Sequence, residues 1–598
     1  MKSKIADYIA DFFVNHGVGH VFTVTGGGAM HLNDALGHKE GLTCVYNHHE
    51  QACAMAAEGY TRLSGRLAAV CVTSGPGGTN AITGVLGGWV DSIPMFVVSG
   101  QVKRETTLSA TKVPLRQLGD QEFNIVDSVK HMAKYAHMLT EPQEIRYHLE
   151  KALYLCQNGR GGPVWLDIPL DVQAAVVEAE NLEGFHPEEL AGAEEPVYDT
   201  SLTKQILEKI SMAGKPAILA GTGIRLAGAH KEFLQLIDKL QIPVLTAWNA
   251  HDILCDGHPL NCGRPGTVGT RGGNFVVQNC DLLLVLGCRM NIRMVSYNYQ
   301  DFAKDAYKIV VDIDRNELEK PTVKADMPIW ADVKAVMASL ADMEYTAGPK
   351  AHRRWLSWAQ GVNQKYPAVL PQYYQKEAPL NPYAFMKELF ERLHPGAEVV
   401  CGNGSACVIT FQAAIIKAGQ RLFTNSGCAA MGYGFPAAIG ACIARNNQQI
   451  ICIDGDGSFQ MNLQELQTVV YHQMNIKIIY LNNNGYHSIR QTQENLFSPP
   501  LVGVCDGNGI SFPDMEKIAF AYGIPYVRID SLAGIGEKLG RVLEGEGPVV
   551  CEAVVDPGQN FEPKVSSKVL PDGRIVSAAI DDMYPFLGRE EYESNRYQ

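Results

Sequence analysis

The 598-residue chain has 15 cysteines but no Cys-x-x-Cys pair. Neither zinc-finger spacing nor a disulfide framework is visible, and a reducing compartment fits. Cys71, Cys452 and Cys551 lie inside apolar runs, where a thiol acts as a small hydrophobe. No dense Lys/Arg run occurs and the net charge is −13, which argues against a nucleic-acid partner. No run is long and apolar enough to span a bilayer, so no membrane partner is expected. The N-terminus sets Ile5, Tyr8, Ile9, Phe12 and Phe13 at helical spacing and lacks the continuous apolar core of a signal peptide. The chain reads as cytoplasmic.

Hydrophobic residues make up 46% and charged residues 19%, as in an ordinary soluble enzyme. The length is too great for one core. Short apolar strands alternate with helical stretches in three regions, 1–180, 195–345 and 382–557, with a linker at 346–381 and a tail at 558–598. This alternation predicts an α/β protein of three doubly wound parallel-sheet domains. In the middle region the strand Ala217–Ala220 runs into Gly221-Thr222-Gly223, a weak nucleotide signal on its own.

The stretch from Ile451 to Tyr486 organises the rest. An apolar strand turns through Asp454-Gly455-Asp456-Gly457-Ser458. A helix is expected next, with Phe459, Met461, Leu463, Leu466, Val469 and Val470, then a strand from Ile476 to Leu481 that ends in Asn482-Asn483-Asn484-Gly485. Such a βαβ unit sets Asp456 and Asn483 side by side at the carboxyl ends of neighbouring strands, where open α/β sheets bind ligands. A carboxylate, an amide oxygen and a backbone carbonyl form a hard donor set suited to Mg²⁺. Gly455 and Gly457 let backbone approach a phosphate, and the helix start after Ser458 offers N–H groups. Taken alone, a Gly-Asp-Gly turn is often a plain connection.

Two N-terminal pieces carry chemistry. Asn47-His48-His49-Glu50-Gln51-Ala52 enters a small-residue helix, where the carboxylate could simply favour the helix dipole. Thr73-Ser74-Gly75-Pro76-Gly77-Gly78-Thr79-Asn80 is a Gly-rich turn between strand and helix.

Together with the metal turn, these pieces resemble thiamine-diphosphate enzymes of the acetolactate synthase type. Asp91-Ser92-Ile93-Pro94, Ser99-Gly100-Gln101-Val102, Gly159-Arg160, Gly162-Pro163-Val164 and Asp167-Ile168-Pro169 extend the likeness in the same order. The resemblance implies a pyrimidine-binding, a central and a diphosphate-binding domain. It implies that Asp456, Asn483 and the Gly485 carbonyl hold Mg²⁺, and that Gly457 and Ser458 touch the diphosphate. Pro76 and Asn80 would line the pyrimidine pocket, Met431 would wedge beneath the cofactor, and Gly404 would join the same set. Glu50 would be the buried carboxyl that activates the cofactor through a pyrimidine nitrogen, and Gln117 would stand near the reacting carbon. In such enzymes the central domain holds FAD. The matching positions are Arg160, Gly221, Gly223, Gly266, Gly269, Asn274, Arg289, Arg293, Asp312 and Asp332, arginines suiting a pyrophosphate. The same resemblance implies a homodimer or homotetramer in which Glu50 of one copy completes the site of another.

The expected activity is decarboxylation of pyruvate and transfer of its two-carbon hydroxyethyl unit to a second carbonyl, the cofactor carrying the covalent role. Some positions depart from the branched-chain pattern. Ser488 and Thr492 replace a Met and a Trp, Ser405-Ala406 a Gln-His pair, Leu170 a Lys and Arg116 a Phe. Smaller, more polar walls suit a larger, oxygen-rich acceptor. A branch acting on nucleotide-linked ketodeoxysugars resembles this loop and the tail from Asn560, where Pro571-Asp572-Gly573 marks a turn. That tail could close over the site or be a surface strap. His31, His487 and Arg490 are candidate acceptor contacts by position. A simple 2-keto acid decarboxylase and a non-catalytic regulatory subunit are the alternatives. Against the second stand Glu50, Asp456 and Asn483, all present.

Overall fold

Three parallel sheets organise the structure, a computed structural model that describes residues 2–190, 196–345, 350–569, 572 and 574–597. The first contains β1 (His20–Thr23), β2 (Thr43–Tyr46), β3 (Ala69–Val72), β4 (Met95–Gln101), β5 (Tyr135–Met138) and β6 (Pro163–Pro169), in the order β2-β1-β3-β4-β6-β5. Strands β4 and β6 are buried along their whole length, as sheets covered by helices on both faces require. The second contains β7 (Pro216–Ala220), β8 (Val244–Thr246), β9 (Leu282–Leu286), β10 (Tyr307–Asp312) and β11 (Met327–Trp330), in the order β8-β7-β9-β10-β11. The third contains β12 (Glu398–Cys401), β13 (Arg421–Phe423), β14 (Ile450–Gly455), β15 (Ile476–Asn482), β16 (Tyr526–Ile529) and β17 (Val549–Val554), in the order β13-β12-β14-β15-β17-β16. The first and third sheets thus share one topology although their sequences show no repeat.

Those two sheets meet through the helices Glu50–Ser64 and Gly434–Ala444, and the small residues of both explain how closely. A Cβ on Gly59 would lie 2.4 Å from the Ala437 carbonyl oxygen, and one on Gly440 would lie 1.8 Å from that of Ala56. Larger side chains would force the helices apart. A buried Arg62 joins Glu58 and Asp91 beside this contact, and the Tyr433 hydroxyl donates to Glu58.

Several expectations need correction. The helix after the Gly-Asp-Gly turn starts earlier, at Asp456, and is broken: Asp456–Phe459 and Leu466–Tyr471 flank a 3-10 segment kinked at Asn462. There the Asn462 amide donates to Gly432 O and Gln51 Oε1, and these tertiary bonds override the helical pattern. The expected linker holds the 16-residue helix Lys350–Lys365, whose His352, Trp355, Ala359 and Val362 are buried, the three apolar ones in the second sheet's core. Its apolar stripe is hidden among charged residues. The tail begins against the third sheet's core, where Phe561 packs on His487, and then straps the second sheet's core: Ile580 and Tyr592 join it, and Arg271 donates to Met583 O and Pro585 O. Residues 346–349, Pro571 and Gly573 lie outside the described residues, so the start of the linker and the Pro571-Asp572-Gly573 turn are not described. Among the described residues no helix is long and apolar enough to cross a membrane.

Candidate functional site

Parallel pairing of β14 with β15 sets Gly455 opposite Leu481, so the residues after each strand share one edge. Asp456 Oδ2 accepts from the Asn483 and Gly485 amides at 3.2 and 3.0 Å, and Oδ1 accepts from the Gly457 amide at 2.7 Å. Burial nevertheless pushes this carboxyl up to about 6. The Asn483 amide nitrogen donates to Ser405 Oγ at 2.9 Å, while its Oδ1 is buried without a partner. Gly485 accepts at its carbonyl from the His487 amide at 3.0 Å, which leaves a second lone pair. A buried carboxylate beside an orphaned amide oxygen is the arrangement a hard cation satisfies. Mg²⁺ therefore fits Asp456, Asn483 and the Gly485 carbonyl.

The glycines here are required. Gly485 has φ +141°, and a Cβ on it would lie 2.0 Å from Val504 O. A Cβ on Gly457 would strike the Tyr486 ring at 2.2 Å and approach Met431 Cε at 3.4 Å. Met431 is half-buried beside the turn, which suits a wedge better than a core role. The Ser458 hydroxyl accepts from the Gly432 amide at 2.9 Å and keeps its own proton to donate. Gly404, at φ +74°, caps the helix that carries Ser405, close to Ser488.

The second half gathers at the starts of two helices. Asn80 Nδ2 donates to Glu50 Oε2 at 3.0 Å, and Pro76 opens the helix that carries Asn80. Gly75 has φ +56° under the Gln121 carbonyl. Glu50 is half-buried in the single chain, with Pro76 and Asn80 beside it exposed. Gln117 is exposed on a loop, its amide donating to Glu122 O at 3.0 Å. Val113, Leu115, Leu118 and Phe123 are exposed on the same loop.

A third feature is a cavity of about 450 Å³ between the second sheet and its neighbours. Arg160, Gly221, Gly223, Gly266, Arg289, Arg293, Asp312 and Asp332 line it. Asn274 does not: its amide ties Gly266 O to Ile580 O of the tail. Gly269 is likewise outside, packed against Arg264 O. Gly221 and Gly223 serve backbone packing, since Cβ atoms there would collide with Gly287. Arg160 donates to Asp314 and Glu317, both at 2.9 Å. Trp248, missed in the sequence, stacks on Phe411 with the Arg293 guanidinium 4.6 Å from its ring centroid. Trp248 Nε1 and Arg293 Nε are buried without partners, so the wall has donors to offer a polar ligand such as a flavin dinucleotide.

Two of the expected acceptor contacts make internal bonds. Arg490 donates to Asn484 O at 2.7 Å and braces the loop after β15. His487 is buried with Nε2 2.8 Å from Gln559 O, and burial lowers it to about 4. His31 is half-buried and Ser488 and Thr492 are exposed. Ser405 and Tyr486 are the supporting residues that sequence reasoning missed. Their partners lie far off in the chain or are seen only in packing.

Three family profiles match the chain in order: "Thiamine pyrophosphate enzyme, N-terminal TPP binding domain" over residues 3–128, "central domain" over 203–340 and "C-terminal TPP binding domain" over 402–553. The chain belongs to the thiamine pyrophosphate enzyme family. Similar relatives include acetolactate synthase large subunits. That of Lactococcus lactis subsp. lactis is 32% identical over 94% of each chain, and isozyme 1 of Escherichia coli is 29% identical over 94% of this chain and 95% of its own. A probable acetolactate synthase large subunit of Methanocaldococcus jannaschii is 31% identical over 96% of this chain and 95% of its own.

Proposed function

We propose that this chain is a thiamine-diphosphate-dependent carboligase, acetolactate synthase-like, that decarboxylates pyruvate and transfers the two-carbon unit to a second carbonyl. The orphaned Asn483 Oδ1 beside the buried Asp456 carboxylate is the observation that carries the reading. These two residues and the Gly485 carbonyl would hold Mg²⁺, and Gly457 would give the diphosphate close access to backbone. Bound thiamine diphosphate supplies the nucleophilic carbon and the electron sink that let a 2-keto acid lose CO₂. Glu50, held by Asn80, would keep a proton in place on the pyrimidine ring. Tyr486 and Met431 would shape the turn and keep water from it.

The exposed Pro76–Asn80 edge and the apolar Gln117 loop support a homodimer or homotetramer, with Glu50 of one copy facing the Asp456 site of another. FAD in the lined cavity is part of the proposal, with Arg160, Arg289 and Arg293 toward its pyrophosphate. Free thiols at every cysteine agree with a cytoplasmic enzyme. A second reading, transfer to a nucleotide-linked ketodeoxysugar, draws on the exposed, polar Ser488, beside Gly404, and Thr492.

Labelled pyruvate and mass spectrometry test both. Rapid acetolactate formation from pyruvate alone supports the first reading. Slow turnover accelerated by a ketosugar nucleotide supports the second. Acetaldehyde as sole product contradicts carboligation.

A further inference from the structure

Strand β5 is the edge of the first sheet, and the helix Ile145–Gln157 lies against it. Here the rings of His137 and His148 stack with centroids 3.9 Å apart and planes 17° apart. His148 Nδ1 lies 2.6 Å from the Tyr135 hydroxyl, and its Nε2 lies 3.3 Å from Glu144 Oε2. His137 Nε2 is buried and has no partner. One ligand atom each from His137, Glu144 and His148 lies within 4.8 Å of the others, the one such group among the described residues. Nothing in the proposed reaction uses it.

We propose that His137, Glu144 and His148 bind a transition-metal ion of the Zn²⁺ type. Two imidazoles and a carboxylate are borderline donors that favour Zn²⁺, Co²⁺ or Ni²⁺ over the Mg²⁺ expected at Asp456. His137 Nε2, buried without a partner, is the ring nitrogen open to an ion. In the tautomer that leaves Nε2 toward an ion, His148 Nδ1–H donates to the Tyr135 hydroxyl. A tetrahedral ion with bonds of about 2.0–2.1 Å places its donors roughly 3.4 Å apart, and imidazole lone pairs lie in the ring planes, so the two stacked rings must part and tilt toward each other to share it. Glu144 is exposed and free to follow, and solvent supplies the fourth position. The ion competes with one nearby cation, Lys151, whose ammonium lies 5.5 Å from the Tyr135 ring centroid.

The test uses full-length protein loaded with thiamine diphosphate and excess Mg²⁺, then titrated with Co²⁺ by equilibrium dialysis and visible absorption. The expected result is one added equivalent with a tetrahedral spectrum, lost in His137→Gln and weakened tenfold or more in Glu144→Gln. Retained CO₂ release in His137→Gln shows that the variant is folded. X-ray absorption of the zinc-loaded wild type needs no variant and should show two imidazoles. No uptake by the wild type, unchanged uptake by His137→Gln, or an oxygen-only shell overturns the proposal.

Discussion

Replacing Ser405 by Ala perturbs the metal loop without touching an expected ligand. Ser405 Oγ accepts the Asn483 amide proton at 2.9 Å and so aims the unpartnered Oδ1 outward. Both residues are buried, so water cannot replace the hydroxyl. An unsatisfied buried N–H costs about 1–3 kcal/mol. At about 1.4 kcal/mol per tenfold, that is roughly a 5- to 150-fold loss of Mg²⁺ affinity, in line with the 10–100-fold typical of residues behind metal ligands. The assay is CO₂ release against Mg²⁺ at saturating thiamine diphosphate. The half-saturating Mg²⁺ concentration should rise by that factor, while the rate at saturating Mg²⁺ stays within about twofold, the signature of lost ground-state binding. Ser405→Thr, which keeps the hydroxyl, should recover most of the affinity. If Ser405→Ala left the Mg²⁺ dependence unchanged, Asn483 would not be aimed through Ser405 and its role as ligand would be in question.

Other consequences follow from the same geometry. Burial holds metal-free Asp456 at about 6, above its ordinary value, so the folded site prefers the proton. Its contribution to metal-free stability is therefore present at low pH and lost as pH rises through about 6. Mg²⁺ must displace that proton, so its affinity should fall about tenfold from pH 7 to pH 5, as titration calorimetry can show; a flat profile contradicts it. In the cavity, bound FAD should quench Trp248 fluorescence. Arg293→Ala should weaken FAD roughly tenfold or more, since hydrogen bonds to charged groups contribute about 1.5–3 kcal/mol; equal affinity in both proteins excludes Arg293 from the flavin site.

The three sheets were legible because their strands are continuous apolar runs such as Leu282–Leu286, closed by glycine turns. The Asp456–Asn483 pairing was legible for a related reason: strand, turn and strand are contiguous, and parallel register leaves little choice of neighbours. What the sequence hid is long-range. Ser405 and Asn483 are 78 residues apart, and no local pattern marks a serine as the support of an asparagine. The kink at Asn462 depends on Gln51, 411 residues away, so helical periodicity through Leu463 and Leu466 was misleading there. The Lys350–Lys365 helix was obscured because Trp355 is buried by strand β7, to whose Pro216 carbonyl its indole donates, and not by anything nearby in sequence. Asn274 matched a cofactor pattern, yet its amide fastens the tail.

CO₂ release from carboxyl-labelled pyruvate tests the central claim most directly, measured for wild type and Glu50→Gln with and without thiamine diphosphate and Mg²⁺. The account predicts release that requires both additions and drops by at least about a hundredfold in Glu50→Gln, the scale of a lost general acid–base group, with thiamine diphosphate still bound. Release that is independent of the cofactor, or full turnover by Glu50→Gln, would contradict it.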